Sequence, residues 1–117
     1  SPDGKRIVSG TGSAGINGPV TSNNSVKVWD ATTGQTLLTY TMSTGQTYAL
    51  AWSPDGKRIA SGGDDHFVHV WDASTGQTLL LYSGHSDIIF KVAWSPDGSL
   101  IASASGDGTV QVWRPQE

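Results

Sequence analysis

The dipeptide Val-Trp occurs at Val28-Trp29, Val70-Trp71 and Val112-Trp113, with 42 residues from each copy to the next. A period of this length confines the chain to repeat architectures, in which each unit is one small supersecondary element that buries its apolar face only by stacking on a neighbour. Other landmarks keep the same step: "TGQTLL" begins at Thr33 and Thr75, and "SPDG" at Ser53 and Ser95. The earlier "SPDG", at Ser1, stands 52 residues before the second. The first unit therefore carries ten extra residues. They fall inside "SGTGSAGINGPVTSNNSVKVWD" (9–30), whose counterparts are "SGGDDHFVHVWD" (61–72) and "SASGDGTVQVWR" (103–114).

Each unit reads as four short strands. "YALAW" and "IIFKVAW" run into "SPDG", where Pro54 and Pro96 pre-set the first turn position and Gly56 and Gly98 close it. "RIVSG", "RIASG" or "LIASAS" forms the second strand. The third, "VKVW", "VHVW" or "VQVW", puts Val and a polar residue on opposite faces. That alternation directs Lys27, His69 and Gln111 outward. A turn at "TTGQ" or "STGQ" leads to the fourth strand, "TLLTY" or "TLLLY". The expected inventory is three strands, then four, then three: an all-β chain of ten strands. The units fall at 1–43 (lacking its first strand), 44–86 (complete) and 87–117 (lacking its outer strand). Fifteen Gly against one Glu and four Lys suit tight-turned β-structure.

Several classes of function are disfavoured at once. A net charge of −3 with seven Lys and Arg gives no clustered cationic footprint, so nucleic acid is not an expected partner. No apolar run approaches a bilayer span, so no membrane contact is expected. With no cysteine there is no disulfide framework or thiolate metal site, and the redox compartment is left open, with the cytoplasm slightly favoured for a soluble chain. "GTGSAG", from Gly10, loosely matches phosphate-cradling loops, but it opens no helix and no Lys follows it.

Within a 42-residue unit of four antiparallel strands, Trp29-Asp30 and Trp71-Asp72 close the third strand, and Gly84-His85 precedes the first strand of the last unit. On these motifs the whole chain resembles the WD-repeat β-propeller family. Its near-identical units ("AWSPDGKRIASG") are similar to repetitive bacterial WD arrays, which accompany signalling kinases or nucleotide-dependent switch domains. The resemblance implies a non-enzymatic scaffold for protein–protein interaction, without cofactor, catalytic residue or metal.

The resemblance also implies a buried polar set in each unit. In the last it maps to His85, Ser103 (or Ser105, on the same strand face), Asp107 and Trp113. The middle unit keeps Ser61, Asp65 and Trp71 but has Ser43 at the His position. The first keeps Trp29 and has Asn23 at the Asp position. Each lost partner costs about 1 kcal/mol if nothing replaces it, so the last unit is expected to be the best locked and the first the loosest. Ser, His and Asp together also suggest a hydrolase triad. A nucleophilic Ser, however, must lie in a cleft beside an oxyanion hole, whereas these residues recur as packing elements.

In this family the loop between strands two and three shares a face with the loop entering strand one. The insertion at 11–22, including Asn17, enlarges that face or is a tolerated surface loop. Tyr48 and Phe90 hold equivalent positions just inside strand one, with Gln46 and Ile88 two residues earlier and His66 and Phe67 in the middle unit's tight turn. Exposed aromatics serve as interface hot spots, so Tyr48, Phe90, Ile88, His66, Phe67 and Asn17 form the expected partner face. Tyr48 and Phe90 could instead point into a unit-to-unit contact. His66 and His69 with Asp64 and Asp65 invite a metal reading, but a turn residue and a strand residue of opposite aim do not converge.

Three units cannot close a ring alone. "VWRPQE" replaces "VWDA" at the end of the chain, and Pro115 discourages a further strand there, as in a natural last blade, while the start at Ser1 looks cut. The ring is expected to close within a longer chain or through association of copies, two giving about six blades and three about nine, with blade faces buried by symmetry. A purely structural self-assembling module is the alternative function.

Overall fold

The computed structural model describes residues 1–10, 25–41 and 46–115. The insertion at 11–22 with Asn17, as well as Asn23 and Ser43, lies outside the described residues. Ten strands form three antiparallel sheets. The first holds β1 (Arg6–Gly10), β2 (Ser25–Asp30) and β3 (Thr36–Thr41). The second holds β4 (Thr47–Trp52), β5 (Arg58–Gly63), β6 (Val68–Asp72) and β7 (Thr78–Tyr82). The third holds β8 (Ile89–Trp94), β9 (Ile101–Ser105) and β10 (Val110–Trp113). Each sheet is a meander whose strands pair in chain order, the arrangement of WD-type blades and the three-four-three inventory expected from the repeat.

The turns explain why the strands begin and end where they do. At each "SPDG" the Gly amide bonds back to the Ser carbonyl, at 3.0 Å for Gly4 and 2.9 Å for Gly56 and Gly98. Gly4, Gly56 and Gly98 sit at φ 72, 72 and 75°, where a Cβ would clash with the preceding backbone. The Asp between Pro and Gly caps the turn: Asp55 Oδ1 accepts from the Ser53 hydroxyl at 2.6 Å and the Lys57 amide at 3.0 Å. Asp3 and Asp97 repeat this pattern.

These bonds hold the turn carboxylates ionised. The Ser95 hydroxyl, then the Ser99 amide and hydroxyl, bring Asp97 from the ordinary 3.8 down to about 2. Asp3 and Asp55 are lowered first by Ser1 and Ser53 respectively, and Asp30 and Asp72 by the backbone amides of the turns they open. A carboxylate whose folded pKa is depressed contributes stability above its unfolded pKa, and loses it as pH falls through the folded value. The urea midpoint should therefore drop steadily between pH 3.8 and about 2. A titration of midpoint against pH that stays flat through this window would contradict the role given to the turn carboxylates.

Two apolar joints hold the blades together. Val26 and Val28 of the first blade share a buried cluster with Ile59, Trp71 and Ala73 of the second and with Tyr40. Val68, Val70 and Ala60 of the second share one with Ile89, Val92, Ile101 and Trp113 of the third. Each blade thus offers a Val-bearing face to the Ile- and Trp-bearing face of the next. Aromatic stacking repeats with the joints: Tyr40 lies on Trp71 at 4.6 Å and Tyr82 on Trp113 at 4.1 Å, both 4° from parallel. Arg6 stands over the Trp52 ring and Arg58 over the Trp94 ring, each 4.7 Å from the centroid, so a cation crosses each joint as well.

The outward aim expected for His69 is overturned. It is buried, with Nε2 2.6 Å from Asp65 Oδ2 and Nδ1 3.3 Å from the Tyr40 hydroxyl. The alternation along β6 is real, but both of its faces are covered, one by the third blade and the other by the first. The polar position of strand three is where the preceding blade's Tyr hydroxyl lands. In the next joint Tyr82 donates to Gln111 Oε1 in the same way.

Candidate functional site

The buried polar set of the last blade is a continuous chain of hydrogen bonds. His85 Nδ1 lies 2.9 Å from Asp107 Oδ2, His85 Nε2 lies 2.7 Å from Ser103 Oγ, and Trp113 Nε1 donates to Ser103 Oγ at 3.1 Å. With the Nδ1 proton on the carboxylate side, Nε2 accepts from the Ser103 hydroxyl, whose oxygen then takes the indole N–H. Asp107 is pushed well below the carboxylate range by the Thr109 hydroxyl, then by His85 and the Ser86 and Thr109 amides. Ser105 is placed elsewhere, donating to the Asp87 carbonyl at 3.1 Å. The order Asp, His, Ser is that of a hydrolase triad, but Ser103 is 1% exposed and its oxygen already holds the Trp113 N–H. No carbonyl carbon can reach it in this arrangement.

The other two blades carry reduced forms. Trp71 Nε1 donates to Ser61 Oγ at 3.1 Å, and Trp29 Nε1 to Ser9 Oγ at 2.7 Å. Asp65 keeps an imidazole partner in spite of Ser43 at the His position, because His69 of its own blade reaches it. Sequence alignment of the units by position could not find this replacement, since the new partner comes from a different strand. His66 is exposed in the adjoining turn, and among the described residues no three His, Cys, Asp or Glu side chains converge.

The second arrangement is a surface at the end of the blades opposite the Pro turns. The loop into strand one and the tight turn between strands two and three are tied together there: Asp64 N donates to the Gln46 carbonyl at 3.0 Å, Gln46 N to Asp64 Oδ2 at 2.9 Å, and Gly106 N to the Ile88 carbonyl at 2.9 Å. Strand one carries a bulge just inside this end. Thr47 pairs with Gly63 and Ala49 with Gly62, leaving Tyr48 as the extra residue. Ile89 pairs with Ser105 and Lys91 with Ala104, leaving Phe90 in the same role. A bulge re-aims the side chain of its unpaired residue, and here it turns both rings outward: Tyr48 is 48% and Phe90 52% exposed, with centroids 6.2 Å apart.

The two rings border a groove of about 180 Å³ whose floor and sides come from Ala49, Leu50, Lys91 and Val92. The Tyr48 hydroxyl donates to Gln46 Oε1 at 3.0 Å, and its pKa is raised by partial desolvation and the nearby Asp64 charge. Ile88, in the loop before β8, is half-buried. Phe67 is exposed and edge-on to His69, with centroids 6.4 Å apart. His66 takes φ 70°, a left-handed conformation that the third blade gives to Gly108 at the same turn position. A side chain held at a glycine position costs about 1 kcal/mol, so this turn keeps a His against its backbone preference. Strain of this kind gathers at functional surfaces.

A family model described as WD domain, G-beta repeat matches residues 34–72 and 76–114. A comparison with curated proteins finds no match. Among the described residues no helix is long and apolar enough to cross a membrane.

Proposed function

Because this chain belongs to the WD-repeat family, we propose that it is a non-enzymatic interaction scaffold that presents Tyr48 and Phe90 to a protein partner. Members of the family generally act by holding protein partners. One observation carries the reading. Two blades in succession spend a bulge to place an aromatic ring on the same end of the fold, next to a groove and close enough for one partner side chain to touch both. Aromatic anchors of this type supply most of the binding energy at protein interfaces. His66, Phe67 and Ile88 extend the patch, and the insertion with Asn17 is assigned to the same partner contact. The buried His85, Ser103, Asp107 and Trp113 chain acts as the brace that holds the loops in place, with Ser61, Asp65, Trp71 and Trp29 as its counterparts.

The scaffold closes into a ring with further blades, in a longer chain or in another copy. A purely structural, self-assembling module is the second reading, favoured by the two joints in which the Val face of one blade is buried on the Ile and Trp face of the next.

The double variant Tyr48→Ala, Phe90→Ala separates the two. Both rings are exposed, so folding stability should change by no more than about 0.5 kcal/mol. Proteins retained by the immobilised wild-type chain should be lost from the double variant. Identical sets retained by both would assign these rings no part in recognition.

A further inference from the structure

Strands β4 and β8 each carry aromatic residues at both ends, and the two ends are treated differently. At the end near the Pro turns, Arg6 lies over Trp52 and Arg58 over Trp94, each 4.7 Å from the centroid. Arg6 Nη2 also donates to the Gly56 carbonyl at 2.7 Å. At the other end Tyr48 and Phe90 are about half exposed, and among the described residues no cation covers either ring. The chain thus seats arginine on a strand-one ring twice. It leaves the other two strand-one rings side by side, 6.2 Å apart and tilted by 44°. Both walls of the groove they border belong to this chain.

Each uncovered ring has a carboxylate beside it. Asp64 is close enough to Tyr48 that, after partial desolvation, its charge raises the pKa of the Tyr48 hydroxyl. A Cβ added to Gly106 would stand 3.1 Å from the Asp87 carboxylate and 3.3 Å from the Phe90 ring, so those two groups face one spot. The two acids come from different segments. Asp64 lies in the turn after β5, where the third blade has Gly106, and Asp87 in the loop before β8, where the middle blade has Gly45. The repeat position is not kept, while the pairing of ring and carboxylate is. Backbone amides fix both acids, Gln46 N donating to Asp64 Oδ2 at 2.9 Å and Ile88 N to Asp87 Oδ1 at 2.7 Å. Lys91 lines the groove as well, yet among the described residues neither acid forms an ion pair.

A guanidinium answers both halves of this arrangement. Its flat face stacks on aromatic rings, and its edge carries N–H donors in a fork that matches carboxylate oxygens. An ammonium is more strongly hydrated and has no flat face to stack. An apolar side chain would fill the groove but cover two carboxylates without giving them a partner.

We propose that the anchor received between Tyr48 and Phe90 is an arginine side chain of the protein partner, its guanidinium against the rings and its N–H groups directed at Asp64 and Asp87. This rests on the partner-contact reading above and names the chemistry of the group that fills it.

The test selects short random peptides on the immobilised chain and counter-selects them on the double variant Tyr48→Ala, Phe90→Ala. Peptides that depend on the two rings should share an arginine. In the tightest of them, replacing that arginine by citrulline, which keeps the shape and loses the charge, should weaken binding about tenfold. The variant Asp64→Asn, Asp87→Asn should weaken it as much, while its amide oxygens still accept the backbone bonds. Ring-dependent peptides anchored by apolar, acidic or lysine side chains would overturn the arginine assignment and leave the partner face standing. So would an affinity unchanged by citrulline or by the two Asn substitutions. If no selected peptide depends on the rings, the partner face falls together with this proposal.

Discussion

Replacing Trp71 by Ala should lower the stability of the chain by about 4 kcal/mol, the usual cost of emptying a buried aromatic site. Trp71 is fully buried, stacks on Tyr40 of the neighbouring blade and donates its N–H to Ser61. The loss therefore falls on the core of the middle blade and on a joint together. Small domains have about 5–15 kcal/mol in total, so the urea midpoint should fall by about 2 M. Trp29→Ala is the matched control. The same residue at the same repeat position is half-buried and has no Tyr upon it, so its loss should cost less than half as much. Equal costs for the two would mean that burial in the joint is not what Trp71 contributes.

Ser103→Ala should cost about 3 kcal/mol, more than the equivalent Ser61→Ala. The Ser103 hydroxyl serves two buried groups at once, the Trp113 N–H and His85 Nε2, and both lose their partner when it goes. A buried polar group left without a partner costs about 1–3 kcal/mol. Among the described residues Ser61 Oγ bonds to Trp71 alone, so its removal strands one group and should cost about half as much. Denaturation of both variants gives the comparison directly. A cost at Ser103 no greater than at Ser61 would dissolve the idea that the His85 chain locks the last blade more tightly. Loss of fold is also the outcome that separates a brace from a nucleophile, because a catalytic hydroxyl can be removed with the fold intact.

Much of this molecule was legible in its sequence because the repeat does the aligning. A 42-residue step and three turn motifs placed all ten strands, and the resemblance to the WD-repeat family pointed to His85, Ser103, Asp107 and Trp113 before any coordinate. What escaped notice depends on neighbours outside the strand. His69 sits on an alternating strand and reads as outward, yet it is buried because Tyr40 of another blade covers that side. The bulges at Tyr48 and Phe90 carry no Gly or Pro in strand one to announce them. They come from the pairing with Gly62-Gly63 and Ala104-Ser105, whose register a single strand does not contain. The polar latch between Tyr hydroxyl and strand three was invisible for the same reason.

The alternation of a Val face with an Ile and Trp face has a bearing on how such chains grow. A unit that carries both halves of its own joint matches any copy of itself, so tandem duplication of the coding segment inserts a blade that already fits on both sides. Lengthening a row by one blade adds one joint and leaves its two outer faces as they were. Closing the row adds a joint with no new blade. Selection on such a gene can therefore vary the number of units freely, because every added unit brings both halves of a joint with it.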